Sequence, residues 1–106
     1  MAASEPDPSA PSRLDATIIG RVQGVGFRYF VLREAAALDL TGWVANSPDG
    51  NVRCVAEGER PKLEALLAVL HRGPGSAIVE RVSLAWMPAA GSFTTFEVRS
   101  GAHRGD

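Results

Sequence analysis

Two stretches of the chain carry apolar residues at the spacing of an amphipathic helix, and this limits the fold more than any other feature of the sequence. In the first stretch the apolar positions recur at i, i+3, i+4, i+8 and i+11, starting from Phe27. In the second they recur at i, i+3, i+4 and i+7, starting from Leu63. Such spacing places the side chains on one face of a helix. The sequence therefore predicts one helix over about residues 27–39 and another that begins near Pro61 and stops at Gly73.

Five further segments have the β-branched, aromatic and alternating character of strands. They comprise residues 14–19, 41–46, 51–57, 78–86 and 93–99. The sequence Ser-Pro-Asp-Gly at residues 47–50 is a strong turn signal and joins the second and third strands as a hairpin. The order β-α-β-β-α-β-β predicts the α+β class. Specifically, it predicts a ferredoxin-like two-layer sandwich with an additional strand, in which two helices cover one face of a mostly antiparallel sheet.

Composition predicts one folded domain with loose ends. A chain of 106 residues has the size of a single domain. Three of the seven prolines fall within residues 1–13, which offer few side chains to bury, so this segment is expected to be a disordered lead-in. The domain is expected to comprise residues 14–100, followed by a flexible tail at residues 101–106.

Charge and cysteine content argue against several classes of function. Eleven Lys and Arg residues against twelve Asp and Glu give a formal charge of −1, so strong non-specific binding to nucleic acid or to an anionic membrane is not expected. One cysteine and two histidines argue against a Cys/His metal centre. No apolar run approaches the length of a membrane span, and the N-terminus lacks the pattern of a signal peptide. We therefore expect a cytoplasmic protein in which any anion site is local.

The segment Gly-Arg-Val-Gln-Gly-Val-Gly-Phe-Arg at residues 20–28 leads from the first strand into the first helix. Glycines let backbone N–H groups converge, and the helix N-terminus adds N–H donors and a positive dipole end. Together they suit an anion the size of phosphate, and Arg28 adds a planar donor fork. The spacing matches neither a P-loop nor a dinucleotide-binding motif. A glycine-rich turn can also serve packing alone, so this segment by itself leaves both interpretations open.

Asn46 stands at the end of the second strand, directly before the turn. An asparagine at such a position commonly hydrogen-bonds its own backbone, which is the simpler interpretation. The topology adds a second one, because the first and second strands of a split β-α-β sheet are parallel and end at the same edge. Asn46 and the loop that precedes Arg28 are therefore expected on one rim, where they can share a site.

Other polar residues are assigned to structure rather than to chemistry. Cys54 is expected to face the core of its strand together with Val52 and Ala56. Three glutamates are expected to form a solvated patch rather than an acid–base pair: Glu57, Glu59 and Glu64.

The loop at residues 20–28 and the segment Leu-Thr-Gly-Trp-Val-Ala-Asn at residues 40–46 resemble the two signature motifs of the acylphosphatases. The similarity spans nearly all of residues 14–100. It continues through four shorter segments at residues 49–52, 57–58, 73–74 and 96–98. The resemblance implies an enzyme that hydrolyses the mixed anhydride of an acyl phosphate to a carboxylate and inorganic phosphate, with no metal and no cofactor.

The same resemblance implies a role for each site residue. The phosphoryl group is bound by the Arg28 side chain and by backbone N–H groups of the loop. The loop comprises Gln23, Gly24, Val25, Gly26, Phe27 and Arg28. Asn46 holds and orients the attacking water through its carboxamide, and Ser47 is expected to fix the side chain of Asn46. Direct attack of water at phosphorus, with no covalent enzyme intermediate, is the corresponding hypothesis.

The implied partner is a small-molecule acyl phosphate, with inorganic phosphate and sulfate as competing ligands. Neither nucleic acid nor a membrane is implied, and a monomer is expected. The alternative is a non-catalytic ferredoxin-like module that binds RNA or a phosphate-containing ligand, and aromatic residues on an open sheet face within a basic field would indicate RNA binding. Similar domains also occur fused to carbamoyl-transfer enzymes, a role that this chain would have to play in trans.

Overall fold

The computed structural model describes residues 10–100, which form five strands and two helices in the predicted order. The strands are β1 (Pro11–Arg21), β2 (Thr41–Asn46), β3 (Val52–Glu59), β4 (Ile78–Pro88) and β5 (Phe96–Arg99), and the helices are α1 (Phe27–Ala37) and α2 (Arg60–Arg72). The strands form one sheet in the order β4-β1-β3-β2-β5. β2 and β5 are parallel neighbours, and the other three pairs are antiparallel. The predicted α+β arrangement, with two helices on a mostly antiparallel sheet, is confirmed.

Alternation along the strands and the apolar stripes of the helices create one core between the two layers. In the central strands every second residue is buried against the helices. These residues are Leu14, Ala16 and Ile18 of β1 and Val52, Cys54 and Ala56 of β3. The helices contribute Phe27, Val31 and Ala35 from α1 and Leu63, Leu66 and Leu70 from α2. Each fully buried large aliphatic side chain contributes about 1.5–3 kcal/mol, so this core holds both helices on one face of the sheet.

Cys54 lies in this core, as predicted, and is fully buried. Burial in apolar surroundings raises the pKa of its thiol to about 12. The thiol is therefore protonated at neutral pH, and Cys54 is not a nucleophile.

The first strand begins at Pro11, earlier than the predicted start at residue 14. Residues 11–13, predicted as part of the lead-in, pair with Glu59, Gly58 and Glu57 of β3. A proline fits there because the first residue of a strand can lack an N–H group. The lead-in prediction is therefore wrong for these residues, whose composition gave no sign of their distant partners. Residues 1–9 and the tail predicted at residues 101–106 lie outside the described residues.

Glu57 is buried, which corrects its assignment to a solvated patch, whereas the other two glutamates of that patch are exposed. Its carboxylate accepts hydrogen bonds from the main-chain N–H groups of Ala90 and Gly91, at 2.9 and 3.1 Å. The guanidinium of Arg13 approaches the same carboxylate at 3.7 Å. Glu57 thus holds the segment between β4 and β5 against the sheet, through hydrogen bonds to main-chain N–H groups 33 and 34 residues away.

Replacement of Glu57 by alanine is expected to lower the free energy of unfolding by about 3 kcal/mol, because two main-chain N–H groups lose their acceptor and the Arg13 guanidinium loses its ion-pair partner. Glu64 provides the matched control, since its ion pair with Arg60 lies on the surface of α2. Glu64→Ala is expected to cost less than about 1 kcal/mol. Urea unfolding measures both values, and an equal effect of the two substitutions would contradict a structural role for the buried carboxylate.

Candidate active site

The loop between β1 and α1 has two glycines in the left-handed region of backbone conformation. Gly24 has a φ of +75° and Gly26 has a φ of +78°. Within residues 10–100, no side chain caps α1 at Gly26, and the first turn of this helix contains no acidic residue. The N–H groups at the start of α1 and the positive end of its dipole therefore meet no competing carboxylate from that turn. This combination favours a bound anion.

β1 and β2 both run antiparallel to β3, which lies between them. They therefore run in the same direction, and their carboxyl ends lie at the same edge of the sheet. β1 ends directly before the loop, and β2 ends at Asn46. The structure thus brings the loop and Asn46 to one rim. We call residues 22–28 together with Asn46 and Ser47 the site rim.

Arg28 stands in the first turn of α1 and is partly exposed. Its Nη1 donates a hydrogen bond to the main-chain oxygen of Arg99 at 3.1 Å. Arg99 ends β5 and is paired with Ala45, the residue before Asn46. Because neighbouring strands lie about 4.8 Å apart, this contact places the Arg28 guanidinium beside the end of β2.

Asn46 is paired with Val52 and lies on the helix side of the sheet. This orientation follows from the alternation of side chains along β2, in which Val44 is buried in the core. α1 lies on the same side, so Arg28 approaches the rim from the helix layer and Asn46 from the sheet. The site rim therefore combines a guanidinium from the helix layer with a carboxamide from the sheet.

The side chain of Gln23 makes contacts that sequence reasoning missed. Its Nε2 donates to the main-chain oxygens of Ser47 and Asn51, at 2.7 and 2.9 Å. Those oxygens lie on the two sides of the turn that follows Asn46. From the sequence, only the backbone N–H of Gln23 was predicted to take part in the loop, because contacts across 24 and 28 residues leave no local signal.

Ser47, predicted to support Asn46, is tied into the turn through its main chain. Its N–H donates to the oxygen of Asn51 at 2.8 Å. Its oxygen accepts from the N–H of Gly50 at 3.1 Å as well as from Gln23. These bonds fix the chain immediately after Asn46, while support of the Asn46 side chain by the Ser47 hydroxyl stays a prediction.

The opposite, open face of the sheet carries Trp43 between two arginines. The guanidinium carbons of Arg53 and Arg99 lie 5.9 and 5.1 Å from the centroid of the Trp43 ring. Arg53 also donates to both oxygens of Asp15, at 3.0 and 2.7 Å, and this hydrogen bonding raises the pKa of Arg53. Arg99 approaches Glu97 at 3.5 Å. Each of the two arginines beside Trp43 is therefore close to a carboxylate, unlike the unbalanced basic field expected of an RNA-binding sheet.

Within residues 10–100, no group of three or more His, Cys, Asp or Glu residues is arranged as a metal site. Neither helix in that part of the chain is long and apolar enough to cross a membrane. The polar groups of the site rim are the Arg28 guanidinium, two carboxamides, the Ser47 hydroxyl and backbone N–H groups.

Comparison with known proteins shows the family to which the chain belongs. The family model described as Acylphosphatase matches residues 14–98. The chain belongs to the acylphosphatase family. Both segments that carried the resemblance, around Arg28 and Asn46, lie within this match.

Individual acylphosphatases agree with the chain in sequence and in fold. A curated acylphosphatase from Salinibacter ruber is 53% identical over 87 residues, which cover 82% of this chain and 92% of the relative. The crystal structure of the Bacillus subtilis acylphosphatase has a TM-score of 0.81 at 34% identity, over 83% of this chain and 98% of that one. The Coxiella burnetii acylphosphatase structure has a TM-score of 0.80 at 38% identity, over 85% of this chain and 94% of that one. The fold is therefore the ferredoxin-like α+β fold of acylphosphatases.

Proposed function

We propose that this acylphosphatase hydrolyses acyl phosphates at the site rim, where Arg28 and the loop bind the phosphoryl group and Asn46 orients the attacking water. The observation that supports this most strongly is the meeting of three features at one place. The first is the N-terminus of α1, which no side chain caps within residues 10–100. The second is the Arg28 guanidinium beside the end of β2, and the third is Asn46, the last residue of β2. The membership of the acylphosphatase family supplies the reaction.

Substrate binding uses charge and hydrogen bonding at the phosphoryl end. The phosphoryl oxygens accept hydrogen bonds from backbone N–H groups of residues 23–28 and from the Arg28 guanidinium. Such fixed donors act where charge spreads over the phosphoryl oxygens in the transition state, and they need no reorganisation during the reaction. The contact of Arg28 with the Arg99 oxygen sets the orientation of the planar guanidinium before substrate binds.

The chemical step is an in-line displacement by water. The carboxamide of Asn46 holds a water molecule against the phosphorus atom, on the side opposite the acyl oxygen. The water oxygen bonds to phosphorus as the bond between phosphorus and the acyl oxygen breaks, and the electron pair leaves with the carboxylate. The protons of the water remain with the phosphate. A carboxylate is a good leaving group and the transition state is loose, so positioning by a neutral carboxamide is sufficient without a strong base.

Several finer properties follow from this proposal. Inorganic phosphate and sulfate compete with the substrate, because they present the same oxygens to the loop and to Arg28. Every residue of the site rim belongs to one chain, so a monomer is sufficient for activity. Nucleic acid is not a partner, and a cytoplasmic location stays a prediction.

Hydrolysis of benzoyl phosphate tests the proposed function. We expect turnover to benzoate and phosphate at the same rate with and without a metal chelator, and competitive inhibition by inorganic phosphate. The loss of substrate is followed by absorbance in the presence and absence of EDTA. A purified, folded protein that leaves benzoyl phosphate intact, or whose activity disappears with the chelator, would contradict the proposal.

A further inference from the structure

The carboxamide of Gln23 joins two segments of the site rim that come from different parts of the chain. Gln23 belongs to the loop between β1 and α1, and its side chain is partly buried. The two acceptors of its Nε2, the main-chain oxygens of Ser47 and Asn51, belong to the turn between β2 and β3. The two N–H bonds of one amide group are thereby directed to the two sides of the turn.

These hydrogen bonds connect the loop and the turn just beyond the last residue pairs of the sheet. The ladder between β1 and β3 ends with Ile18 opposite Val52, and the ladder between β2 and β3 ends with Asn46 opposite Val52. The loop and the turn continue beyond these pairs. The Gln23 side chain connects the loop to the turn there, through the main-chain oxygens of Asn51 and of Ser47, the residue directly after Asn46.

We propose that Gln23 is a positioning residue, which fixes the distance between the phosphate-binding loop and Asn46 and thereby aligns the water with the bound phosphoryl group. The proposal rests on the proposed function, because it assigns separate tasks to the two segments that Gln23 joins. The loop and Arg28 hold the phosphoryl group, and Asn46 holds the water. A change in the distance between them alters the angle of attack, while each segment retains its own binding groups.

The chemistry of the contact explains why a glutamine suits this position. Both acceptors are carbonyl oxygens, so the side chain must supply two donors from one atom. A glutamate would place a carboxylate against two carbonyl oxygens, and a methionine of similar length has no N–H to donate. An asparagine retains the donors but is one methylene shorter.

The expected kinetic signature separates alignment from binding. Gln23→Met is expected to lower kcat for benzoyl phosphate by about 10- to 100-fold, because a small misplacement of reacting groups has an effect of this size. The inhibition constant of inorganic phosphate is expected to change by less than about threefold, since the loop N–H groups and Arg28 remain. Gln23→Asn is expected to show a smaller loss of kcat in the same direction.

A double-mutant cycle with Asn46 tests the proposal directly. If Gln23 acts through the water held by Asn46, the variant that combines Gln23→Met with Asn46→Ala has a kcat within about threefold of that of Asn46→Ala alone. A loss of stability, by contrast, would lower the activity of both backgrounds by the same factor. The matched control is Asp49→Ala, which removes an acceptor of the Asn51 N–H within the same turn and leaves the Gln23 acceptors in place. Its kcat is expected to stay within about threefold of the wild-type value.

Circular dichroism and thermal unfolding identify the variants that fold, and Gln23→Asn enters the cycle if Gln23→Met does not. Wild-type kcat in the folded Gln23 variant would overturn the proposal, as would equal losses in the two backgrounds of the cycle. Absence of turnover by the wild-type protein would instead contradict the proposed function itself. The two failures are therefore distinguishable.

Discussion

Replacement of Arg28 by alanine is expected to lower kcat for benzoyl phosphate by ~10²-fold or more, the size of effect produced by the loss of one preorganised stabilising group. The guanidinium lies beside the end of β2, where it is held by the Arg99 oxygen. Its loss removes both a binding contact and stabilisation of the transition state. The inhibition constant of inorganic phosphate should therefore rise together with the loss of kcat.

Arg28→Lys and Arg33→Ala complete this experiment. Lysine restores a charge but not a planar fork, so Arg28→Lys is expected to recover no more than about a tenth of the wild-type rate. Arg33 lies on the exposed side of the same helix, and Arg33→Ala is expected to retain kcat within about threefold. Steady-state kinetics of the folded variants measure these values. Equal activity of Arg28→Ala and Arg33→Ala would show that charge at the start of α1 does not participate.

Replacement of Asn46 by alanine is the second change with a large expected effect. Loss of the carboxamide removes the group that orients water, so kcat is expected to fall by ~10²-fold or more. The inhibition constant of phosphate is expected to change little, because the loop and Arg28 still bind the anion. Loss of Arg28 is thus expected to impair both kcat and phosphate binding, whereas loss of Asn46 is expected to impair mainly kcat.

Asn46→Asp tests whether the carboxamide must be neutral. The substitution retains the shape of the side chain but places a negative charge beside a dianionic phosphoryl group, which should weaken phosphate binding as well as lower kcat. Thr17→Ala is a suitable control, because Thr17 lies near the same end of the sheet but lines its open face. Wild-type kcat in a folded Asn46→Ala variant would contradict the role of this residue in holding the water.

Much of the fold was predictable because its determinants are local or periodic. Leu63, Leu66 and Leu70 of α2 repeat at the period of a helix and are buried as expected. Val52, Cys54 and Ala56 of β3 alternate at the period of a strand and are buried as well. The turn after Asn46 was marked by its proline and glycine. The placement of the loop and Asn46 at one edge followed from strand direction alone, once the order of elements was known.

The remaining features depend on contacts between residues far apart in sequence. The Arg28 side chain bonds to an oxygen 71 residues away, and Gln23 bonds across 24 and 28 residues. A buried Glu57 has the same local pattern as an exposed one, since its main-chain donors come from the connection before β5. The acceptors in the first two cases are also main-chain oxygens, which every residue possesses, so the side-chain sequence carries no trace of the pairing.

A crystal structure with bound orthovanadate tests the central claim most directly, because five-coordinate vanadate imitates phosphorus during in-line attack. We predict vanadate at the N-terminus of α1, with its equatorial oxygens at about 2.7–3.2 Å from loop N–H groups and from the Arg28 guanidinium. An apical oxygen should lie at the same hydrogen-bonding distance from the Asn46 carboxamide. Vanadate bound on the open face of the sheet, or at the loop with Asn46 directed away from it, would contradict the account.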